Sequence, residues 1–265
     1  TMLTIILAML LGQSASIASP QAVDVSTLQV SAPVLVAEID TGKVQGEPVG
    51  LAWNADGALY LRVVQADAFG NQKTSHYLIA TKSLPSALQP TDAVPAWAAS
   101  YWVMKAQLFS PKDPSFRVDV DQRAQRARTT NVANAGDLAG MSSAALPPVG
   151  GEGASSATTM DAANKSYQST VTTMRVKGQV VGEWENVAPQ PGMRFGWSPA
   201  TAPITALAYA AQNKRLAVID AQGHKQEIAA TSNVLLPAWS TDGKRIAFLQ
   251  KKDKKHYAVM AVDIQ

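Results

Sequence analysis

The stretch Leu235–Asp263, LLPAWSTDGKRIAFLQKKDKKHYAVMAVD, decides the fold. It predicts three short strands: one that ends at Trp239, a second over 244–250 and a third over 256–263. The pair Asp242–Gly243 marks a tight turn, because Gly supplies the positive φ that such a hairpin requires. The last two strands are nearly continuous apolar runs, which is typical of strands covered on both faces. One such unit cannot bury both faces alone, so the stretch predicts further copies of itself.

The copies are marked by a recurring tryptophan. The intervals between successive copies are 44, 100 and 42 residues, and the middle interval equals one period plus an insertion. A period near 42 residues that is rich in short strands is typical of propeller blades with about four strands each. The tryptophans that mark the repeat are Trp53, Trp97, Trp197 and Trp239, and the turn residues Asp56 and Gly57 match Asp242 and Gly243.

The repeat predicts an all-β fold: a small β-propeller of about four blades over residues 34–265, preceded by an N-terminal segment over 19–33. The last blade has one strand too few, and a strand within 34–44 can complete it and close the ring, which removes exposed sheet edges. The predicted strands are 49–54, 58–65, 75–82 and 85–92 in the first blade, 94–99, 101–109, 170–176 and 179–187 in the second, and 193–198, 203–210, 214–220 and 224–229 in the third.

The second blade contains the insertion, residues 111–169, which is dominated by Ala, Ser, Thr and Gly. A segment of this composition has too little apolar surface to offset the entropy lost on ordering, so we expect it to be flexible. It leaves between the second and third strands of its blade. The prediction that follows is that deletion of Ser115–Ser166 leaves the fold intact.

Residues 1–18 are interpreted as a secretory signal peptide. The apolar run Met2–Leu11 is shorter than the roughly 20 residues that a bilayer crossing needs, and small residues precede Ser19 as at a cleavage site. An uncleaved anchor or a buried helix is the alternative. The chain has no cysteine, which for an exported protein fits a bacterial periplasm. We therefore expect a periplasmic or secreted protein with no stable membrane span after cleavage and no nucleic-acid partner.

The run AWSTDGKRIAFL, followed by HYAVMAVD, resembles the WD40-like (PD40) repeat of TolB-type β-propellers. The sequence Trp197-Ser198-Pro199 resembles the first half of this motif, and Trp53, Asp56 and Gly57 match part of it. The resemblance implies a periplasmic or secreted protein that acts through protein contacts. TolB-type rings usually have more blades than the four counted here, so the particular TolB partners are not implied.

Catalytic motifs such as G-x-S-x-G, H-E-x-x-H and the phosphate loop do not occur. With three His and no Cys, neither a metal site nor a cofactor is expected. Asp56 and Asp242 are interpreted as turn residues rather than as catalytic carboxylates. The dipeptides His76-Tyr77 and His256-Tyr257 stand at the same position in two blades; they form either a polar pair at a binding mouth or inherited repeat sequence.

Basic residues concentrate in equivalent turns, which in a propeller lie on one face. They predict a docking face for an anionic partner, a protein surface, lipid headgroup or glycan, or else a solvated face. Three functions stay open: a non-enzymatic protein-interaction or scaffold module that uses this face, a small hydrolase or carbohydrate-binding protein with a site in the central mouth, and a half-ring that self-associates. The candidate partner-binding residues are Lys73, Arg123, Arg126, Arg128, Lys214, Arg215, Lys251, Lys252, Lys254 and Lys255.

Overall fold

The computed structural model describes residues 23–54, 56–67, 70–92, 94, 96–128, 160–161, 166–186 and 191–265. The predicted signal peptide lies outside these residues. The helices are α1 (Thr41–Val44), α2 (Ala96–Lys105) and α3 (Pro191–Arg194), and a 3-10 turn spans Val25–Thr27. The strands are β1 (Val34–Asp40), β2 (Glu47–Trp53), β3 (Leu59–Ala66), β4 (Gln72–Ile79), β5 (Leu88–Thr91), β6 (Asp119–Arg128), β7 (Met160–Asp161), β8 (Ser166–Val176), β9 (Gln179–Glu185), β10 (Phe195–Trp197), β11 (Ala206–Ala210), β12 (Leu216–Asp220), β13 (Lys225–Ile228), β14 (Val234–Trp239), β15 (Arg245–Lys251) and β16 (His256–Asp263).

Four antiparallel sheets form the blades of a propeller, as the repeat predicts. The first blade is β2-β3-β4-β5, the third is β10-β11-β12-β13, and the fourth is β14-β15-β16-β1. The inner strand β14 packs against both β2 and β10, which places the fourth blade between the first and the third. The four-bladed arrangement is confirmed, and the ring closes within one chain.

Closure of the ring by an N-terminal strand is also confirmed. Strand β1 pairs antiparallel with β16, from Val34 opposite Ala261 to Asp40 opposite His256. The pairing continues beyond the two strands, because the backbones of Gln29 and Gln265 exchange two hydrogen bonds. The fourth blade therefore consists of three consecutive strands and one strand from the other end of the fold.

The second blade corrects the prediction of strands over 94–99 and 101–109. Residues 96–105 form α2 instead, and α2 packs against β2 and β10 in the position of an inner strand. Its sequence, AWAASYWVMK, is rich in alanine, the residue with the highest helix propensity. The repeat correctly predicts the place of this segment in the ring, whereas the local sequence determines its secondary structure. Trp97 lies in α2, and its side chain is outside the described part of the chain.

Strand β6 is a second correction, because residues 119–128 were expected to belong to the flexible insertion. They pair with β8 over ten residues, from Asp119 opposite Arg175 to Arg128 opposite Ser166. The base of this hairpin is anchored by Val118 and Met174, which are buried against the third blade. The blade order is thus α2, β6, β8 and β9, and the long connection still lies between the second and third positions. Residues 129–159 and 162–165 lie outside the described residues.

The register of β6 with β8 allows a more precise deletion than that of Ser115–Ser166. Because Arg128 and Ser166 are directly paired, a two-residue Asn-Gly turn can join them in place of residues 129–165. We expect this variant to unfold cooperatively, with a melting temperature within a few degrees of the parent by circular dichroism. Deletion of Ser115–Ser166 removes β6 and should abolish cooperative unfolding. The opposite ranking of the two deletions would contradict the assignment of β6 as a blade strand.

Three of the four repeated tryptophans connect neighbouring blades. The indole Nε1–H of Trp53 donates to the carbonyl of Ala238 at 3.0 Å, and that of Trp239 donates to Gly196 at 3.1 Å. Trp197 donates in turn to Gln107, just after α2, at 2.6 Å. The first of these bonds joins the first blade to the fourth, the next joins the fourth blade to the third, and the last joins the third blade to the second. These three tryptophans therefore connect three of the four pairs of neighbouring blades.

The repeated Asp-Gly pairs lie in the turns that follow the inner strands. Asp242 Oδ1 accepts hydrogen bonds from the Ser240 hydroxyl at 2.6 Å and from the Lys244 backbone N–H at 3.0 Å. Gly243 has a φ of +71°, which a residue with a Cβ adopts only with strain. Asp56 accepts similarly from the Ala58 N–H at 3.0 Å. Both aspartates therefore organise turns.

Candidate functional site

The two faces of the ring are defined by the turns that they carry. The turns after the inner strands meet on one face, where the Thr201 hydroxyl donates to the carbonyl of Thr241 at 2.8 Å. We call this the opposite face, because it lies opposite the face that carries the long connection of the second blade. Because the strands alternate in direction, the β3–β4, β11–β12 and β15–β16 turns emerge on the other face. The β8–β9 turn lies at the opposite face, where Lys177 contacts Gly223, so the long connection between β6 and β8 leaves on the other one. We call that side the insertion face.

The β15–β16 turn on the insertion face exposes four lysines, Lys251, Lys252, Lys254 and Lys255. Its shape is set by Asp253, whose carboxylate accepts hydrogen bonds from the backbone N–H groups of Lys255 at 2.7 Å and His256 at 2.9 Å. These backbone bonds, with a further bond from the His256 ring, lower the pKa of Asp253 to about 2. The one acidic residue within the turn thus serves to fix the backbone of the lysine cluster.

The corresponding turn of the third blade adjoins this cluster. The backbone N–H of Val234 donates to the carbonyl of Lys214, and the N–H of Lys251 donates to the carbonyl of Asn233. The two turns therefore lie on either side of the chain that enters β14. They bring together six exposed basic residues, which we call the basic rim: Lys214, Arg215, Lys251, Lys252, Lys254 and Lys255.

Two members of the basic rim have partners within the molecule. The Lys252 ammonium lies 2.8 Å from Glu38, and this hydrogen bond is the largest cause of the lowered pKa of Glu38. The Lys251 ammonium lies 5.2 Å from the centre of the Tyr257 ring. Ion pairs of this exposed kind contribute little to stability. The other four members make no ion pair with any described residue.

The other predicted basic residues lie apart from the basic rim. Lys73 is exposed at the start of β4, on the insertion face of the first blade. Arg123 lies midway along β6 and is paired with Asp121 at 2.8 Å. Arg126 and Arg128 belong to the same strand, but their side chains are outside the described part of the chain. The structure therefore brings together six of the ten predicted residues.

A groove of about 700 Å³ lies beside the lysine turn, between the fourth and first blades. Both repeat tyrosines line it, whereas only one of the repeat histidines does: His76 instead stacks on Tyr60 inside the first blade, 5.6 Å between ring centres. The structure thus separates the two histidines that the repeat aligns. The groove is lined by Glu38, Ile39, Asp40, Lys43, Val44, Tyr77, Leu88, Pro90, Lys252, Asp253, His256 and Tyr257.

The carboxylates of this groove are engaged in local structure. Asp40 accepts a hydrogen bond from the N–H of Gly42 at 2.9 Å and so caps α1. Glu38 pairs with Lys252, and Asp253 shapes its own turn. A general acid or base needs a carboxylate free to contact substrate. Each of these three carboxylates thus has a structural partner within the fold.

A buried lysine is one feature that the sequence did not reveal. Lys105, the last residue of α2, is 1% exposed, and its ammonium nitrogen donates to the carbonyl of Pro237 at 2.9 Å. Burial lowers its pKa to about 7. Because α2 and β14 lie opposite each other in the ring, this side chain crosses the central axis. A lysine in the last turn of a short helix is usually exposed, so its position in the sequence gave no signal.

A group of three side chains that could hold a cation is the second missed feature. Ligand atoms of Asp24, Asp220 and His224 lie within 4.8 Å of one another. The buried Asp220 already accepts hydrogen bonds from the His224 ring at 2.9 Å and from the Val25 backbone N–H at 3.3 Å. Asp220 thereby holds the N-terminal segment against the third blade. Asp24 lies far from the other two members of the group in the sequence, so no local spacing predicted the group.

These observations define the class of the protein as a four-bladed β-propeller with a basic rim on its insertion face. No protein-family model matches the chain, and no curated protein matches it. Within the described residues, none of the helices has the length and apolarity that a membrane crossing requires.

Proposed function

We propose that the chain is a non-enzymatic, TolB-like binding module that is periplasmic or secreted and docks an acidic protein partner on its insertion face. The observation that carries the proposal is the basic rim, in which six exposed basic residues from two blades lie side by side. Clustered charge of one sign attracts and orients an oppositely charged partner. The proposed location, periplasmic or secreted, rests on the interpretation of residues 1–18 as a signal peptide.

The groove beside the rim supports a protein partner in particular. Its walls combine charged residues with the apolar or aromatic side chains of Tyr77, Leu88, Pro90 and Tyr257. Protein interfaces combine such a central apolar contact with a charged periphery. An acidic segment that also carries an apolar side chain therefore matches both the rim and the groove. No observation on the described residues favours the alternative of a site in the central mouth.

Replacement of Lys251, Lys252, Lys254 and Lys255 by Gln should weaken binding of an acidic peptide by about tenfold or more, because each exposed charge contributes up to about 1 kcal/mol. The measurement is fluorescence anisotropy with a labelled glutamate-rich peptide that contains tyrosine, at two salt concentrations. Salt should weaken binding to the parent more than binding to the variant. The melting temperature should change by no more than a few degrees.

A control variant with the same change in net charge lies on the opposite face. Lys82, Lys177, Lys225 and Lys244 are exposed there, and their replacement by Gln should leave peptide affinity within about twofold. Equal weakening by both variants would show a non-specific effect of net charge and would contradict the docking face. Tighter binding to anionic vesicles or sulfated oligosaccharides than to the peptide would contradict a protein partner.

A further inference from the structure

A row of directly paired residues crosses the whole first blade. Gly50 pairs with Arg62, Arg62 with His76, and His76 with Thr91. Directly opposite residues share one face of a sheet, so all four lie on the same side. Trp102 of α2 covers the inner end of this row, and a Cβ at Gly50 would lie only 3.0 Å from its indole. The row therefore faces the second blade.

Aromatic rings enclose the two basic members of the row. Tyr60 stacks on His76 with ring centres 5.6 Å apart and an angle of 21° between the rings, and it lies 5.7 Å from Trp102. The guanidinium carbon of Arg62 lies 5.8 Å from the centre of the Trp102 ring. Tyr60 is fully buried, whereas Arg62, His76 and Trp102 are partly buried. Aromatic rings thus flank both basic side chains at the boundary between the two blades.

Three nitrogen atoms of this cluster lack a hydrogen-bond partner. Nε of Arg62, Nδ1 of His76 and Nε1 of Trp102 are buried and have no hydrogen-bond partner among the described residues. Nearly all buried polar atoms in native proteins have a partner, and an unsatisfied donor is costly. The indoles of Trp53, Trp197 and Trp239 follow that rule, since each donates to a carbonyl. Two unsatisfied donors, Nε of Arg62 and Nε1 of Trp102, beside an unpaired ring nitrogen of His76 indicate that an acceptor belongs there.

The charges of the cluster point to the sign of that acceptor. The guanidinium of Arg62, which stays charged at any ordinary pH, lies directly opposite His76. Burial and then the charge of Arg62 lower the pKa of His76, and no acidic group opposes them. No described carboxylate pairs with Arg62. The cluster thus combines positive charge, unsatisfied donors and the absence of a counter-ion within the described residues.

We propose that Arg62, His76 and Trp102 form a binding site for a carboxylate, such as an acidic side chain or a small carboxylic acid. A carboxylate is planar, carries one charge and accepts in two directions, which suits one guanidinium and one indole N–H between aromatic walls. A tetrahedral phosphate dianion matches the single full charge of the site less well. The site lies between the first and second blades, away from the basic rim, so it does not depend on the proposed function.

The test uses the Trp102 indole N–H as a reporter. Tryptophan is labelled with ¹⁵N, the Trp102 resonance is assigned with Trp102→Phe, and the protein is titrated with sodium acetate at constant ionic strength made up with chloride. We expect a saturable downfield shift of Trp102 with a Kd of about millimolar size. The Trp53, Trp197 and Trp239 indoles donate inside the ring and should not move. Arg62→Gln should raise the Kd by at least about tenfold, because a charge-assisted hydrogen bond is lost.

The three ring indoles also serve as a control for folding of each variant. Unchanged Trp53, Trp197 and Trp239 resonances in Arg62→Gln establish that a lost response reflects the site and not the fold. A Trp102 resonance that stays fixed to saturation with acetate would overturn the proposal, and so would the same shift in chloride alone. An undiminished acetate response in Arg62→Gln would overturn it too, and stronger binding of inorganic phosphate than of acetate would overturn the assignment to a carboxylate.

Discussion

Replacement of Trp239 by Ala should lower the free energy of unfolding by about 3–5 kcal/mol, the usual range for removal of a buried Trp. The side chain is fully buried between the third and fourth blades, among residues that include Phe248 and Leu216. The substitution also leaves the carbonyl of Gly196 without its donor, which adds to the loss. Since a native domain is stable by only about 5–15 kcal/mol, we expect a large fall in the urea midpoint. Circular dichroism during urea titration measures it.

Two further substitutions separate the causes of this loss. Trp239→Phe retains most of the buried volume and removes the N–H, so it should cost about 1–3 kcal/mol. Trp184→Ala removes a partly buried indole from the outer strand β9, where we expect about 1 kcal/mol. A loss below about 1 kcal/mol for Trp239→Ala would contradict the role of the repeated tryptophan as the contact between blades.

Replacement of Lys105 by Met should stabilise the protein at pH 7 and remove a pH dependence of stability. An isolated cation in the centre of the ring is penalised by lost hydration, and Met fills a similar volume without charge. The carbonyl of Pro237 loses its donor, which offsets part of the gain. We expect a net gain on the order of 2 kcal/mol at pH 7, within the range that replacement of buried charges by apolar residues produces.

The pH range follows from the lowered pKa of Lys105, about 7 in the folded protein against 10.5 for an ordinary lysine. Between these values the unfolded chain binds a proton that the folded protein lacks. The free energy of unfolding therefore rises with pH across this range, by up to about 1.4 kcal/mol per pH unit, and is lowest below the folded pKa. The difference in stability between Lys105→Met and the parent should be largest at and below about pH 7 and should fall toward pH 10.

A second lysine provides the control for this experiment. Lys112 also donates to backbone carbonyls, those of Ala202 at 2.8 Å and Pro203 at 3.3 Å, but it is exposed. Lys112→Met should lower the free energy of unfolding by about 1 kcal/mol through loss of those bonds. A Lys105→Met variant that is less stable than the parent at pH 7 would contradict burial of an isolated charge.

The turns show which part of the fold was predictable from sequence. The pair Asp242–Gly243 fixes a positive φ and an aspartate that accepts backbone N–H bonds, and both act within a few residues. Local chemistry of this kind is visible in the chain. The repeat of Trp and Asp-Gly then gave the number of blades, and the missing strand of the last blade gave the closure by β1.

The second blade shows what could not be predicted. Equivalence with the other blades predicted a strand at 94–99, but the alanines of α2 favour a helix. A helix packs at this position of the ring, where the other blades have an inner strand. The sequence of β6, DVDQRAQRAR, offers no apolar alternation, because most of its strand character comes from pairing with β8. Such pairing depends on a partner that begins at Ser166, beyond a segment with no pattern of its own.

The candidate site was predictable to a similar extent. The basic rim follows from equivalent turns of a repeat, so its residues could be named. The salt bridge between Glu38 and Lys252 depends on ring closure, as does the groove between the fourth and first blades. The cluster of Arg62, His76 and Trp102 combines a strand pair with a helix that the sequence did not predict. Tertiary placement decides such contacts, and no short spacing encodes them.

The pairing of β1 with β16 means that the fourth blade can be completed only after its last strand has been synthesised. During synthesis β1 leaves the ribosome first, and its partner residues, up to Ala261, are added only after the other blades. The edge of β1 must stay unpaired for nearly the whole of translation, and contacts between such distant residues form slowly. In that interval the open strand can join the last blade of a second copy instead. Slow synthesis and a high local concentration of nascent chains should therefore favour strand-exchanged dimers over closed rings.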